Sequence, residues 1–211
     1  MQEMIQTVAI AALPVILAIT LHEAAHGYAA RHFGDPTAWQ EGRITANPLK
    51  HIDPVGTILV PIIILLLSTG GILFGWAKPV PVNFGRLRHP KQDMLWVAAA
   101  GPAANLVMLL FWATLMKLAV TLPIHFFSVP MARMAEVGIL VNLALMVLNL
   151  FPLPPLDGGR IAVSLLPRDL AWRFAKLERF GFPILLLLLF SGLLSKLLMP
   201  VMSAVMGMIY F

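Results

Sequence analysis

The sequence contains no cysteine and few charged residues. With no cysteine among its 211 residues, the chain can form no disulfide, no Cys-ligated zinc site and no Cys nucleophile. Any metal must therefore be bound by His, Asp or Glu. Charged residues make up 12% of the chain, against roughly 25% in soluble domains. Together with a hydrophobic content of 59%, this excludes an ordinary soluble enzyme, a disordered chain and a nucleic-acid-binding protein.

Long hydrophobic segments are the main feature of the sequence. A membrane-spanning helix needs about 20 predominantly apolar residues. Four segments meet this requirement: 4–21, 95–122, 131–151 and 182–199. Residues 201–211 either continue the last segment or lie in the membrane interface. We therefore expect an all-α polytopic membrane protein, embedded in a lipid bilayer, with about four full transmembrane helices.

A fifth apolar segment, 55–77, is interrupted by Pro61 and by the polar and glycine residues 68–71. It is either a full span or a re-entrant segment. Twelve of the 15 Lys and Arg residues lie in three connections, namely 27–56, 75–93 and 160–179. These connections share one side only if the segment is re-entrant, and the positive-inside rule assigns that side to the cytoplasm. The sequence thus predicts a multi-pass inner-membrane protein with its N-terminus outside.

His22, Glu23 and His26 form an H-E-x-x-H pattern at the end of the first apolar segment. Residues four apart on a helix lie on one face, so both imidazoles can reach one cation while the glutamate reaches its bound water. The alternative is a set of polar groups at a helix end. Each ionisable residue inside the bilayer costs about 2.5–3.5 kcal/mol on insertion scales, and bound zinc would offset that cost. The pattern therefore favours a zinc hydrolase site.

Asp157 is the candidate for a third zinc ligand, because a catalytic zinc usually has three protein ligands and one open position. It lies in the segment 149–158, N-L-F-P-L-P-P-L-D-G. The prolines break the helix, and irregular backbone at membrane depth is tolerated only beside protein or a water-filled cavity. The alternative is that Asp157 caps a helix over 158–166.

Together these motifs resemble the site-2 protease family of intramembrane zinc metalloproteases, in particular its small bacterial members without a PDZ or CBS domain. The resemblance rests on H-E-x-x-H at 22–26 and N-L-F-P-L-P-P-L-D-G at 149–158. The residues G-P-A-A-N at 101–105 are similar to the family's G-P-x-x-N element, and G-W-A-K-P-V-P-V-N at 75–83 is similar to a further stretch of the small members. The similarity covers most of residues 15–165.

The resemblance implies that His22, His26 and Asp157 bind one Zn²⁺ per chain and that Glu23 is the general base. It also suggests two polar groups that position the substrate or steady the oxyanion: Asn105 and Asn149. Asp157 follows the segment 131–151, so it can meet the two histidines only if that segment and the first one cross the membrane in the same direction. This requires that one full crossing, 95–122, lies between them. A re-entrant 55–77 satisfies that condition, in agreement with the distribution of basic residues.

We therefore expect a zinc endopeptidase that cuts peptide bonds within or near transmembrane segments of other membrane proteins, as in regulated intramembrane proteolysis. One domain, 1–211, is expected, with a catalytic core at about 4–166 and a C-terminal transmembrane segment at about 182–211. Short extended strands are expected near the active site. Residues 78–83 either form such a strand and pair with the unwound substrate or form an ordinary Pro-rich loop. Two other functions remain open, a metal-ion carrier and an inactive scaffold with the same fold.

Overall fold

The chain is almost entirely helical in a computed structural model that describes residues 2–60, 62–63, 75–122 and 125–209. The α-helices are α1 (Gln2–His32), α2 (Thr37–Gln40), α3 (Pro90–Thr121), α4 (His125–Asn149), α5 (Asp157–Leu165), α6 (Arg168–Ala175), α7 (Glu178–Phe190) and α8 (Leu193–Ile209). Within the described residues there is no β-strand. The all-α prediction is confirmed.

Three helices are long and apolar enough to cross a membrane. The candidate spans are Ala9–His32 in α1, Pro90–Thr121 in α3 and Ser128–Asn149 in α4. Helix α3 packs against both α1 and α4, and α1 also contacts α4. Helix α1 runs eleven residues beyond the end predicted from hydropathy, to His32. The H-E-x-x-H residues therefore lie inside a continuous helix and not at its end.

The ends of the apolar segment 55–77 meet each other. A π-helical turn, Pro54–Leu59, begins the segment, and Trp76 closes it by donating its N–H to the carbonyl of Gly56 at 3.0 Å. The Thr57 hydroxyl also donates to the carbonyl of Trp76 at 2.8 Å. A single crossing would separate the two ends by about 30 Å, so this contact agrees with the re-entrant prediction. Residues 61 and 64–74, the interior of the segment, lie outside the described residues.

The C-terminal apolar segment is broken in two, which differs from the predicted continuous span over 182–199. Helix α7 ends at Phe190, and Gly192 adopts a φ of +71°, the left-handed conformation that terminates helices at glycine. Helix α8 then leaves at an angle of 79° to α7. At 1.5 Å per residue neither helix alone covers the roughly 30 Å hydrocarbon core. The described helices therefore supply three candidate spans, or four if α7 and α8 cross together.

Candidate active site

The two histidines of α1 point into the contact with α3. His22 and His26 are 7% and 9% exposed, and their rings pack edge to face with centroids 4.7 Å apart. Their Nε2 atoms are 3.1 Å apart. One helical turn separates the two residues, which brings both imidazoles to one point.

Asp157 completes this group from α5. Its Oδ2 atom lies 3.3 Å from Nε2 of His22 and 3.3 Å from Nε2 of His26. The N-cap position of α5 is held by Leu156, and Oδ2 of Asp157 is buried with no hydrogen-bond partner among the described residues. The alternative in which Asp157 serves only as a helix cap is therefore wrong.

The protonation pattern of the imidazoles leaves three acceptors facing one another. Nδ1 of His22 lies 2.6 Å from the Asn105 side-chain oxygen, and Nδ1 of His26 lies 2.7 Å from the carbonyl of Val97. Both neighbours are acceptors, so both Nδ1 atoms carry the proton and the neutral rings direct lone pairs from Nε2. Two lone pairs and a carboxylate oxygen at such short range need a cation between them.

The triangle of ligand atoms has the dimensions of a zinc site. Ligands about 2.0–2.1 Å from a tetrahedral zinc lie about 3.3–3.4 Å from each other, and the three observed separations are 3.1, 3.3 and 3.3 Å. The residues present therefore fit a divalent cation.

Asn105 orients the His22 ring by contacting its Nδ1 atom, on the side away from Asp157. Its side-chain oxygen accepts from His22, while its Nδ2 donates to the carbonyl of Ala18 at 3.1 Å and to the side-chain oxygen of Asn142 at 2.9 Å. Asn142 in turn donates to the carbonyl of Gly138 at 2.8 Å. Both asparagine side chains are fully buried. A chain of hydrogen bonds therefore connects α4, α3 and the metal-facing histidine of α1.

This geometry changes the expectation for Asn105. The oxygen and both N–H groups of its amide already have partners, so no donor remains for a substrate or an oxyanion. Asn142 was missed by the sequence analysis, although a polar amide inside the apolar run of α4 was a signal that could have identified it. Asn149 donates to the carbonyl of Leu145 in its own helix at 3.0 Å and is half-buried.

Glu23 lies on α1 next to His22 and is half-buried. Its Oε2 atom accepts the backbone N–H of Val80 at 2.7 Å. Val80 belongs to residues 75–83, which are neither helical nor paired as a strand. The short strands expected here do not form within the described residues, because the backbone N–H groups of 76, 78, 80 and 83 donate to loop carbonyls and to carboxylates.

The loop that carries Asp157 is held by close backbone contacts. A Cβ atom on Gly158 would lie 2.2 Å from the carbonyl oxygen of Leu150, and one on Gly159 would lie 2.2 Å from the nitrogen of Pro154. Only glycine leaves room for the chain to turn back on itself at these two positions. The start of α5 is thereby folded against the end of α4.

The chain is similar to several proteins named as zinc metalloproteases. It is 38% identical over 195 residues to "Putative zinc metalloprotease YwhC" of Bacillus subtilis, covering 91% of this chain and 85% of that protein. It is 34% identical over 183 residues to "Putative zinc metalloprotease Rip2" of Mycolicibacterium smegmatis, covering 86% of this chain and 66% of that protein. The Rip2 protein of Mycobacterium tuberculosis is 28% identical over 180 residues. No family model and no solved structure matches the chain.

Proposed function

Because this chain belongs to the site-2 protease family of zinc metalloproteases, with Zn²⁺ as its cofactor, we propose that it is an intramembrane endopeptidase. Its substrates are transmembrane segments of other membrane proteins. The observation that carries the proposal is the meeting of His22, His26 and Asp157 within 4.8 Å of one another, on and beside a helix apolar enough to span a bilayer.

In this proposal each residue of the site has one role. His22, His26 and Asp157 hold the zinc, which when bound supplies Lewis-acid activation of a water molecule and of the scissile carbonyl. The Glu23 carboxylate, as general base, would accept a proton from water and donate it to the leaving amine. The Val80 N–H fixes the Oε2 atom of Glu23 and so limits the orientations of the carboxylate.

The depth of the site favours a substrate inside the membrane. His22 follows the start of the candidate span, Ala9, by thirteen residues, which corresponds to about 20 Å along the helix. Ionisable residues at such positions are costly in lipid and generally serve a function. A buried site between spanning helices is accessible to a substrate helix that has entered from the bilayer and unwound locally.

Two groups are suited to hold the unwound substrate. The backbone N–H of Val82 has no partner among the described residues, so this residue next to the Glu23 contact can pair with an extended peptide. Asn149, near the start of the loop to Asp157, is the proposed donor to the oxyanion. The alternative of a metal-ion carrier would need further ligand groups along a path, and within the part of the chain that the structure describes there is one such group.

The test is cleavage by the purified protein. In detergent, the wild type is expected to contain about one zinc per chain and to cut a candidate transmembrane peptide. Glu23→Gln should retain zinc but lose proteolysis, because the amide cannot accept a proton, whereas His22→Ala should lose both. Glu41→Gln, at an exposed site, is the matched control and should behave as the wild type. Undiminished cleavage by Glu23→Gln would contradict the assignment of the base.

A further inference from the structure

Residues 78–83, which we name the strap, lie across the face of α1 that carries Glu23. The Lys78 N–H donates to the carbonyl of His51 at 2.8 Å. The Val80 side chain is 7% exposed and packs at Gly27, one turn after Glu23, where a Cβ atom would come within 3.2 Å of Val80 Cγ1. The strap therefore approaches α1 closely at the point where its Val80 N–H meets the Glu23 carboxylate.

Arg43 holds one end of the strap. Its Nη2 donates to the carbonyl of Lys78 at 2.9 Å and to the carbonyl of Pro79 at 3.2 Å. Arg43 is 6% exposed, and among the described residues it forms no ion pair. A buried guanidinium without a carboxylate is costly, so its contacts with these two carbonyls are the main compensation that the described residues offer.

Asp35 holds the other end of the strap. This carboxylate is fully buried and accepts the N–H of Asn83 at 2.6 Å as well as the N–H of Thr37 at 3.1 Å. Two buried side chains of opposite charge thus bind the backbone of one short segment at its two ends, and the single N–H directed at Glu23 lies between them.

We propose that Arg43 is a positioning residue for Glu23. By holding two successive strap carbonyls it sets the position of the Val80 N–H, and this N–H sets the orientation of the Glu23 carboxylate. The inference rests on the proposed function, since Glu23 is its general base. Arg43 itself has no described contact with the zinc ligands, so its removal is expected to affect the base and leave the metal in place.

Amide hydrogen exchange measures directly whether the backbone N–H groups of the strap are hydrogen-bonded. Pro79 and Pro81 have no N–H, so a peptide reporting on residues 79–82 contains only the amides of Val80 and Val82. In the wild-type protein in detergent, one of these two amides should exchange slowly. Glu23→Ala and Arg43→Ala should each make both amides exchange fast, whereas Glu23→Gln, which keeps a carbonyl acceptor, should retain part of the protection.

Kinetics and metal analysis complete the test. Arg43→Ala should keep its zinc and lower kcat about 10- to 100-fold, as for a misplaced catalytic group, with KM changed by no more than about threefold. Arg43→Lys should recover part of kcat. Arg173→Ala, which removes an exposed arginine of α6, is the matched control and should behave as the wild type.

The outcomes separate this inference from the proposed function. Unchanged exchange of the Val80 amide in Arg43→Ala, or loss of zinc together with activity, would overturn the positioning role. If Arg43→Ala does not fold, unchanged exchange in Glu23→Ala would overturn it equally. A wild-type protein that binds zinc and protects one strap amide but cuts no transmembrane peptide would contradict the proposed function and still support the contact between the strap and Glu23.

Discussion

Gly101 of α3 lies directly against His26 of α1. A Cβ atom on Gly101 would fall 2.4 Å from Nε2 of His26 and 2.6 Å from Cε1 of His22. Non-bonded heavy atoms do not approach this closely, so any side chain at position 101 displaces both imidazoles. The absence of a side chain at this position therefore creates the space in which the two rings meet Asp157.

Gly101→Ala should accordingly weaken zinc binding by at least about tenfold, since altered support of the ligands alone costs 10- to 100-fold in affinity. Competition with a chromogenic chelator would measure the loss. Gly207→Ala in α8 is the matched control, because a Cβ atom there meets nothing within 4 Å. Equal affinities of the two variants would contradict the close packing of α3 on the histidines.

The hydrogen bonds from Asn142 to Asn105 and on to His22 predict a graded loss of metal. Asn105→Leu removes the acceptor that orients His22 and should lower zinc affinity about 10- to 100-fold. Asn142→Leu removes a more distant contact and should have a smaller effect. Because the three residues act in one network, the double variant should lose less than the sum of the two single losses in binding free energy.

This second prediction is checked by titrating each variant with Co²⁺ and following its visible absorption. Gln92→Leu, which replaces an exposed amide of α3, serves as the control. Strictly additive losses would indicate that Asn142 acts independently of His22.

Gly181 at the start of α7 supports the loop that carries Asp157. A Cβ atom on Gly181 would lie 1.7 Å from the carbonyl oxygen of Pro154. Gly181→Ala should push α7 away from this loop and reduce both zinc content and thermal stability in detergent. The thermal midpoints of the zinc-loaded and zinc-free forms would be compared, and a variant that loses neither zinc nor stability would contradict a supporting role for α7.

The proposed orientation in the membrane can be tested without background labelling, because the chain has no cysteine. Thr121→Cys, at the exposed end of α3, should react with a membrane-impermeant maleimide in intact cells if the N-terminus is outside. Lys176→Cys, in the basic connection after α6, should react only after the membrane is permeabilised. The reverse pattern of labelling would invert the predicted topology.

The three candidate zinc ligands could be identified from sequence because each belongs to a motif whose chemistry depends on local spacing. His22 and His26 are one helical turn apart, and Asp157 follows prolines that cannot continue α4. Hydropathy located the spans for a similar reason, since about 20 apolar residues in a row have few other uses in a folded chain. The re-entrant prediction for 55–77 combined this signal with the distribution of basic residues.

The supporting contacts could not be predicted in the same way, because each joins residues far apart in sequence. In the sequence Arg43 is indistinguishable from the other basic loop residues, and only the structure shows that its guanidinium binds the carbonyls of Lys78 and Pro79. A single glycine such as Gly192 is compatible with a continuous helix through an apolar segment, but its positive φ ends α7. Asn105 was expected near the substrate because the resemblance of residues 101–105 to the family's G-P-x-x-N element suggested it, and only its partners Ala18 and Asn142 reveal its occupied hydrogen bonds.

The distance in sequence between the two histidines and Asp157 has a consequence for biosynthesis. The histidine pair leaves the ribosome with the first helix, while the aspartate follows only after α3 and α4 have been made and inserted. A nascent chain in the translocon therefore carries an incomplete set of ligands for most of its synthesis. If the chain is the proposed protease, it should therefore be unable to cut neighbouring membrane proteins until most of its helices have assembled.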